Sequence, residues 1–270
     1  MTVMTCHTFW RDDALPFVEA RSVQDGRDVC YAPHSHESFS IGAILEGRCT
    51  YVNRAKREEV SSGSIVLMNP GDVHACNPIR DEPWAYRMLY LDTAWVADVQ
   101  RELDRRVDGF RPFTVTSTRN DGLYRALNRL YEALTDQCAD HSQKRQIAYE
   151  FMIDVQRTLG NEQPSPMRGN AGLARAAKFI RDNCTRSLRL QDICRAANLS
   201  ASYLVRAFKA EYGMSPHAFL INCRIEFSRQ ELRRGRPLAE VALAAGFCDQ
   251  AHLQRSFKKL VAATPGQYRG

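Results

Sequence analysis

The chain has 270 residues, of which 44% are hydrophobic, 25% charged and 9% aromatic, a balance without simple repeats that excludes collagen, a coiled-coil rod and a disordered tail. The net charge of +6 is unevenly divided: residues 171–270 carry 17 Lys+Arg against 7 Asp+Glu, and residues 1–170 carry 20 against 24. A basic C-terminal hundred residues points to a polyanionic partner, nucleic acid before an acidic membrane surface.

Up to about Asp92 the chain alternates short apolar runs with Gly, Pro and Asn. The runs at 39–45, 49–52, 64–68 and 86–91 predict strands of a sandwich or barrel. Beyond Thr93, Leu123, Leu127, Leu130 and Leu134 recur at helical spacing, and 147–159 predicts a second helix. Residues 160–170, rich in Gly, Pro and polar side chains, predict a linker. The remainder reads as helices over 173–181, 190–197, 201–210, 216–233, 238–244 and 249–259, broken at Asn198, Gly213, Gly235, Pro237 and Gly246. The domains are therefore 1–160, a linker over 161–170, and 171–270. No apolar run approaches the ~20 residues that cross a bilayer. Residues 1–13 lack a secretory signal, and nine dispersed cysteines without a CxxC pair fit reduced thiols, so a soluble cytoplasmic protein is expected.

The helical region contains an internal echo. Leu204, Arg206, Phe208 and Lys209 recur as Leu253, Arg255, Phe257 and Lys258 at an offset of 49, each set preceded by an Ala-Ala pair and followed by Ser215-Pro216 or Thr264-Pro265. Two copies of helix, tight turn and basic helix are two helix-turn-helix units. Ala196 and Ala244 are expected at the helix crossings. Leu204 with Phe208, and Leu253 with Phe257, should face inward at i, i+4, leaving Arg206, Lys209, Arg255 and Lys258 toward a duplex.

The stretches Ala245-Gly246-Phe247, Arg255-Ser256-Phe257-Lys258 and Thr264-Pro265-Gly266-Gln267-Tyr268-Arg269 closely resemble the DNA-binding domain of the AraC/XylS family of bacterial transcription regulators. The resemblance covers residues 171–270. It implies two recognition helices in successive major grooves, joined by a long helix at 216–233, with Ser202, Val205 and Arg206 of the first unit and Gln250, Ala251, Gln254 and Arg255 of the second meeting bases. Arg reads guanine and Gln reads adenine, so Arg206, Gln254 and Arg255 are the expected base readers; Ser202, Val205 and Ala251 offer thinner contacts.

In the strand-rich half, Pro33-His34-Ser35-His36-Glu37 with Gly47, and Gly63 with Pro70-Gly71-Asp72-Val73-His74, resemble the two motifs of the cupin superfamily, a small β-barrel that serves as sensor in many AraC-type regulators. The resemblance implies that His34, His36 and His74 line an effector pocket or hold a divalent metal ion. The Glu a cupin enzyme would add is absent, with Ser40 and Ile41 in its place, so no resident cofactor is expected. The fold class is accordingly α+β: a cupin-like β-barrel with flanking helices, then an all-α double helix-turn-helix domain. The resemblance implies a DNA-binding regulator that is not an enzyme, with double-stranded DNA, a small-molecule effector, a second copy of the chain and RNA polymerase as partners and no membrane. The leucine stripe, with Tyr124, Tyr131 and Phe151, either packs on its own barrel or pairs two subunits. The alternatives are a metal-responsive regulator and a metal-dependent cupin enzyme with an appended DNA-binding domain.

Overall fold

A computed structural model describes residues 7–79, 82–160 and 170–269, so the linker read over 161–170 lies outside the described residues except for Asn170. The chain forms two compact units. One holds a sheet and three helices; the other holds seven helices together with residues 30–35 and 73–75.

The first unit runs β1 (His7–Trp10), β2 (Val18–Val23), β3 (Phe39–Asn53), β4 (Lys56–Ser61), β5 (Ile65–Met68), β6 (His74–Pro78), β7 (Trp84–Leu91), α1 (Thr93–Leu103), β8 (Ser117–Thr118), α2 (Asp121–Thr135) and α3 (His141–Leu159). The sheet order is β1-β2-β7-β3-β5-β8, with β4 and β6 also paired to β3. The two apolar runs expected at 39–45 and 49–52 are one 15-residue strand. Gly47, at φ +72, does not end it: the register shifts between Ile44 and Glu46, and a Cβ on Gly47 would lie 1.7 Å from the Pro83 carbonyl. Only glycine fits this bulge, where β3 turns from partner β7 to partner β4.

Strand alternation gives the sheet two faces. Ala20, Phe39, Ile41, Ala43, Ile65, Leu67, Leu89 and Leu91 pack in one core with Leu123, Leu127, Leu130 and Leu134 of α2 and Phe151, Met152 and Val155 of α3. The leucine stripe thus packs on its own sheet, as do Phe151 and Tyr131. What α2 leaves outward is charged: Arg125, Arg129 and Glu132 are exposed. Short polar caps start these helices, with the side chains of Asp92, Asn120 and Asp140 accepting from backbone N–H groups of the first turn.

The second unit contains α4 (Ala171–Asn183), α5 (Leu190–Ala197), α6 (Ala201–Tyr212), α7 (Pro216–Arg233), α8 (Leu238–Ala244), α9 (Gln250–Val261) and α10 (Pro265–Arg269). α10 was not expected from the sequence. Among the described residues no helix is long and apolar enough to cross a membrane.

Candidate nucleic-acid interface and effector face

The two helix-turn-helix units are α5–α6 and α8–α9. Ser200 caps α6 through its Oγ, and Gly213 closes it in the left-handed region at φ +71. Asp249 caps α9, accepting from His252 N at 2.6 Å. Leu204, Phe208, Leu253 and Phe257 are fully buried, as the i, i+4 spacing requires. The rest of each helix faces out: Ser202, Val205, Arg206 and Lys209 on α6, and Gln250, Ala251, Gln254, Arg255 and Lys258 on α9, are all exposed. One detail of the sequence reading is corrected. Ala196 and Ala244 are only half-buried, whereas Ala197 and Ala245, one residue later where the helices end, are completely buried.

The C-terminal motif has a local explanation. Thr264 N donates to Gln267 Oε1 at 2.8 Å while Gln267 N donates to Thr264 Oγ1 at 3.2 Å, a reciprocal cap that starts α10. Tyr268, fully buried, packs edge-on to Phe257 and takes Arg229 Nε and Arg233 Nε on its hydroxyl at 3.2 and 2.7 Å. The back of α9 is thereby tied to α7. Tyr203, which sequence reasoning passed over, is exposed beside Ser202, and its hydroxyl accepts from Asn170 Nδ2 at 3.0 Å.

In the first unit the sheet face opposite the core mixes polar with apolar side chains. The strand register sets Arg21 opposite Met88, Met88 opposite Gly42, and Gly42 opposite Val66; a parallel row runs Glu19, Tyr90, Ser40, Met68. Gly42 has no room for a Cβ, which would sit 2.6 Å from Met88 Cε. Glu19, Arg21 and Ser40 are buried. Arg21 Nη2 lies 3.0 Å from His7 Nδ1, and Arg11 Nε donates to Glu19 at 2.9 Å. Burial, with the Arg21 charge beside it, pulls the His7 imidazole down to about 4. Residues 18–23 carry no apolar run, so the sequence offers no strand there, and Glu19 and Arg21 are buried only by pairing with β7.

His36 joins this face. Its Nδ1 lies 3.0 Å from Ser38 O, its Nε2 lies 3.3 Å from Ser40 Oγ, and its ring stands edge-on to Tyr90. His34 and His74 pair with each other: their backbones exchange N–H···O bonds of 3.0 and 2.8 Å, and their rings lie 4.4 Å apart. His34 Nδ1 lies 2.9 Å from Ala32 O. Ser40, standing where a cupin enzyme has its Glu, offers the His36 ring a hydroxyl in place of a carboxylate. Among the described residues no three His, Cys, Asp or Glu side chains are grouped to hold a metal ion.

A sheet unit with a buried polar face, joined in one chain to a double helix-turn-helix unit with basic outer helices, defines a ligand-sensing, DNA-binding regulator. Comparison with known proteins gives the family. Residues 16–152 match the AraC-like ligand binding domain and residues 193–270 a helix-turn-helix domain, and the chain belongs to the AraC family of transcription regulators. It is 21% identical to the raffinose operon transcriptional regulatory protein RafR of Pediococcus pentosaceus, over 90% of this chain and 91% of that one. It is 26% identical to the MmsAB operon regulatory protein of Pseudomonas aeruginosa, over 78% and 66% of the two chains. The solved structure of ToxT from Vibrio cholerae O395 superposes with a TM-score of 0.58 at 12% identity, covering 93% of this chain and 96% of that one. ToxT solved with an unsaturated fatty acid bound gives 0.57 at 13% identity, covering 99% and 97%. At these identities the ToxT likeness shows a shared fold.

Proposed function

We propose that this regulator reads double-stranded DNA through α6 and α9, with Arg206, Gln254 and Arg255 on base edges, Ser202, Val205, Gln250 and Ala251 beside them in the groove, and Lys209 and Lys258 on phosphates. The observation that carries this reading is the division of both helices, with Leu and Phe buried behind and all nine of these side chains exposed in front. The effector, a small molecule with hydrogen-bonding groups, binds on the polar sheet face of Glu19, Arg21, His36, Ser40 and Tyr90. It acts by population shift, favouring the conformation that binds operator DNA. The protein works in the cytoplasm as a homodimer that contacts RNA polymerase, and it has no catalytic activity of its own. Because the leucine stripe is occupied, a second copy meets the charged outer surface of α2.

Selection of duplexes from a random pool by the full chain tests the reading. A selected motif with two separated conserved blocks is expected; recovery of no motif, at low salt, overturns it. Elemental analysis of the purified protein separates the effector classes. Substoichiometric metal, with His74→Ala altering effector response, is expected, whereas one divalent ion per chain lost below about pH 6 would make the protein metal-responsive.

A further inference from the structure

Midway along α7, the helix that joins the two helix-turn-helix units, stands Arg224, buried to 8% exposure. Its Nε donates to Cys184 O and its Nη2 to Arg186 O, both at 2.8 Å. Those carbonyls follow α4, in the loop that leads into the first helix-turn-helix. The guanidinium carbon also lies 5.9 Å from the ring centroid of Phe247, in the turn between α8 and α9 of the second unit. That turn approaches the same loop closely. Gly246 is at φ +81, and a Cβ there would lie 2.7 Å from Thr185 O and 3.1 Å from Arg224 Nη2. The loop at 184–186, the guanidinium and the turn at 245–247 therefore meet at one point, with α7 as the base.

The chemistry suits a fixed joint. A guanidinium is a planar fork whose N–H directions are set by the group itself, so two carbonyls bound to it are held at a defined angle. A flat cation on the Phe247 ring adds a third constraint from the other unit. The desolvated charge has its Nε and Nη2 engaged by carbonyl oxygens, and breaking either contact leaves buried polar groups unmatched.

We infer that Arg224 is a positioning residue that locks the two helix-turn-helix units in one relative orientation and so sets the half-site spacing the protein accepts. This rests on the reading of α6 and α9 as the DNA-binding helices. Recognition helices that enter successive grooves must match a helical repeat of roughly 10–10.5 base pairs. One inserted base pair rotates the second block by about 35° and moves it by about 3.4 Å, following from that repeat. A rigid pair of units discriminates against such a change; a loosened pair accommodates it.

The test uses the full chain and the selected duplex, with one base pair added to or removed from between its two blocks. The wild type is expected to lose at least about tenfold in affinity for either altered spacing. Arg224→Lys keeps the charge and loses the fork; it should bind the optimal spacing more weakly and show less than about threefold difference among the three duplexes. Phe247→Leu, which removes the ring and keeps an apolar side chain, carries the same expectation should Arg224→Lys fail to fold. A folded variant that keeps wild-type spacing discrimination, or that loses affinity equally at every spacing, overturns the proposal. A wild-type protein that binds none of the duplexes instead overturns the DNA-binding reading itself.

Discussion

Removing one cation from α9 separates contacts that position the protein from contacts that read sequence. The two outer helices expose five cations: Arg206, Lys209, Arg255, Lys258 and Lys259. Arg206 and Arg255 are set on base edges, which leaves Lys209, Lys258 and Lys259 for phosphates; at about 0.9 each to the slope of log affinity on log salt, three give a slope near −2.7 and about a 40-fold loss between roughly 50 and 200 mM salt. Lys258→Ala lowers the slope to about −1.8 and the loss to about 12-fold, on operator and unrelated duplex alike. Arg255→Ala should cost about 1–3 kcal/mol on the operator, concentrated at one base position, and much less on unrelated DNA. Fluorescence anisotropy on the two duplexes at three salt concentrations measures both effects. A wild-type slope shallower than about −1 would refute the placement of these helices against phosphates. A changed base preference in Lys258→Ala, with none in Arg255→Ala, would reverse the roles assigned to the two residues.

Three further outcomes follow from the packing. Leu127→Ala empties a completely buried position between α2 and the sheet and should lower stability by about 2–5 kcal/mol in denaturant melts; a change below about 0.5 kcal/mol would contradict the core described. Ala262 closes α9 at φ +53, a left-handed conformation costing a non-glycine residue about 1–2 kcal/mol. Ala262→Gly should therefore raise stability by about 0.5–1 kcal/mol after the added freedom of the unfolded chain, and a lowered melting temperature would count against it. His7, held down to about 4, is neutral in the fold, whereas the unfolded imidazole takes a proton near its ordinary value of about 6.5. Its contribution is present above pH 6.5 and is lost as the pH falls from there to about 4. His7→Gln should flatten the stability profile in that window, and an unaltered profile would show that the proton goes elsewhere.

The second unit was legible almost residue by residue because its signals are local. Helices expected at 190–197, 216–233 and 238–244 form with those bounds, each set by apolar spacing and a nearby cap or break. The sheet was legible only where strands are apolar. β4, with Lys56, Arg57, Glu58 and Glu59, hides an edge-like strand in a charged sequence, and it is the register with 48–53 of β3 that makes it one. β2 carries buried Glu19 and Arg21, whose burial depends on β7, more than sixty residues away in the chain. Charged side chains buried by long-range pairing leave no mark in local periodicity. For the candidate site the same division holds: the exposed side chains of α6 and α9 follow from helix geometry, and the buried polar side chains of the sheet follow from strand register.

The order in which the first unit is assembled has a consequence during synthesis. The apolar face of the sheet is complete once Leu91 has been made, yet the helices that cover it end only at Leu159. The intervening 68 residues take about 3–14 s to translate at typical rates, and through that interval the cover over Phe39, Ile41, Leu89 and Leu91 is incomplete. A nascent chain stalled there presents a sticky sheet to its neighbours on the polysome. A sensor fragment cut anywhere before residue 159 makes that temporary state permanent, so fragments ending short of it should collect in inclusion bodies while those that retain it stay in solution.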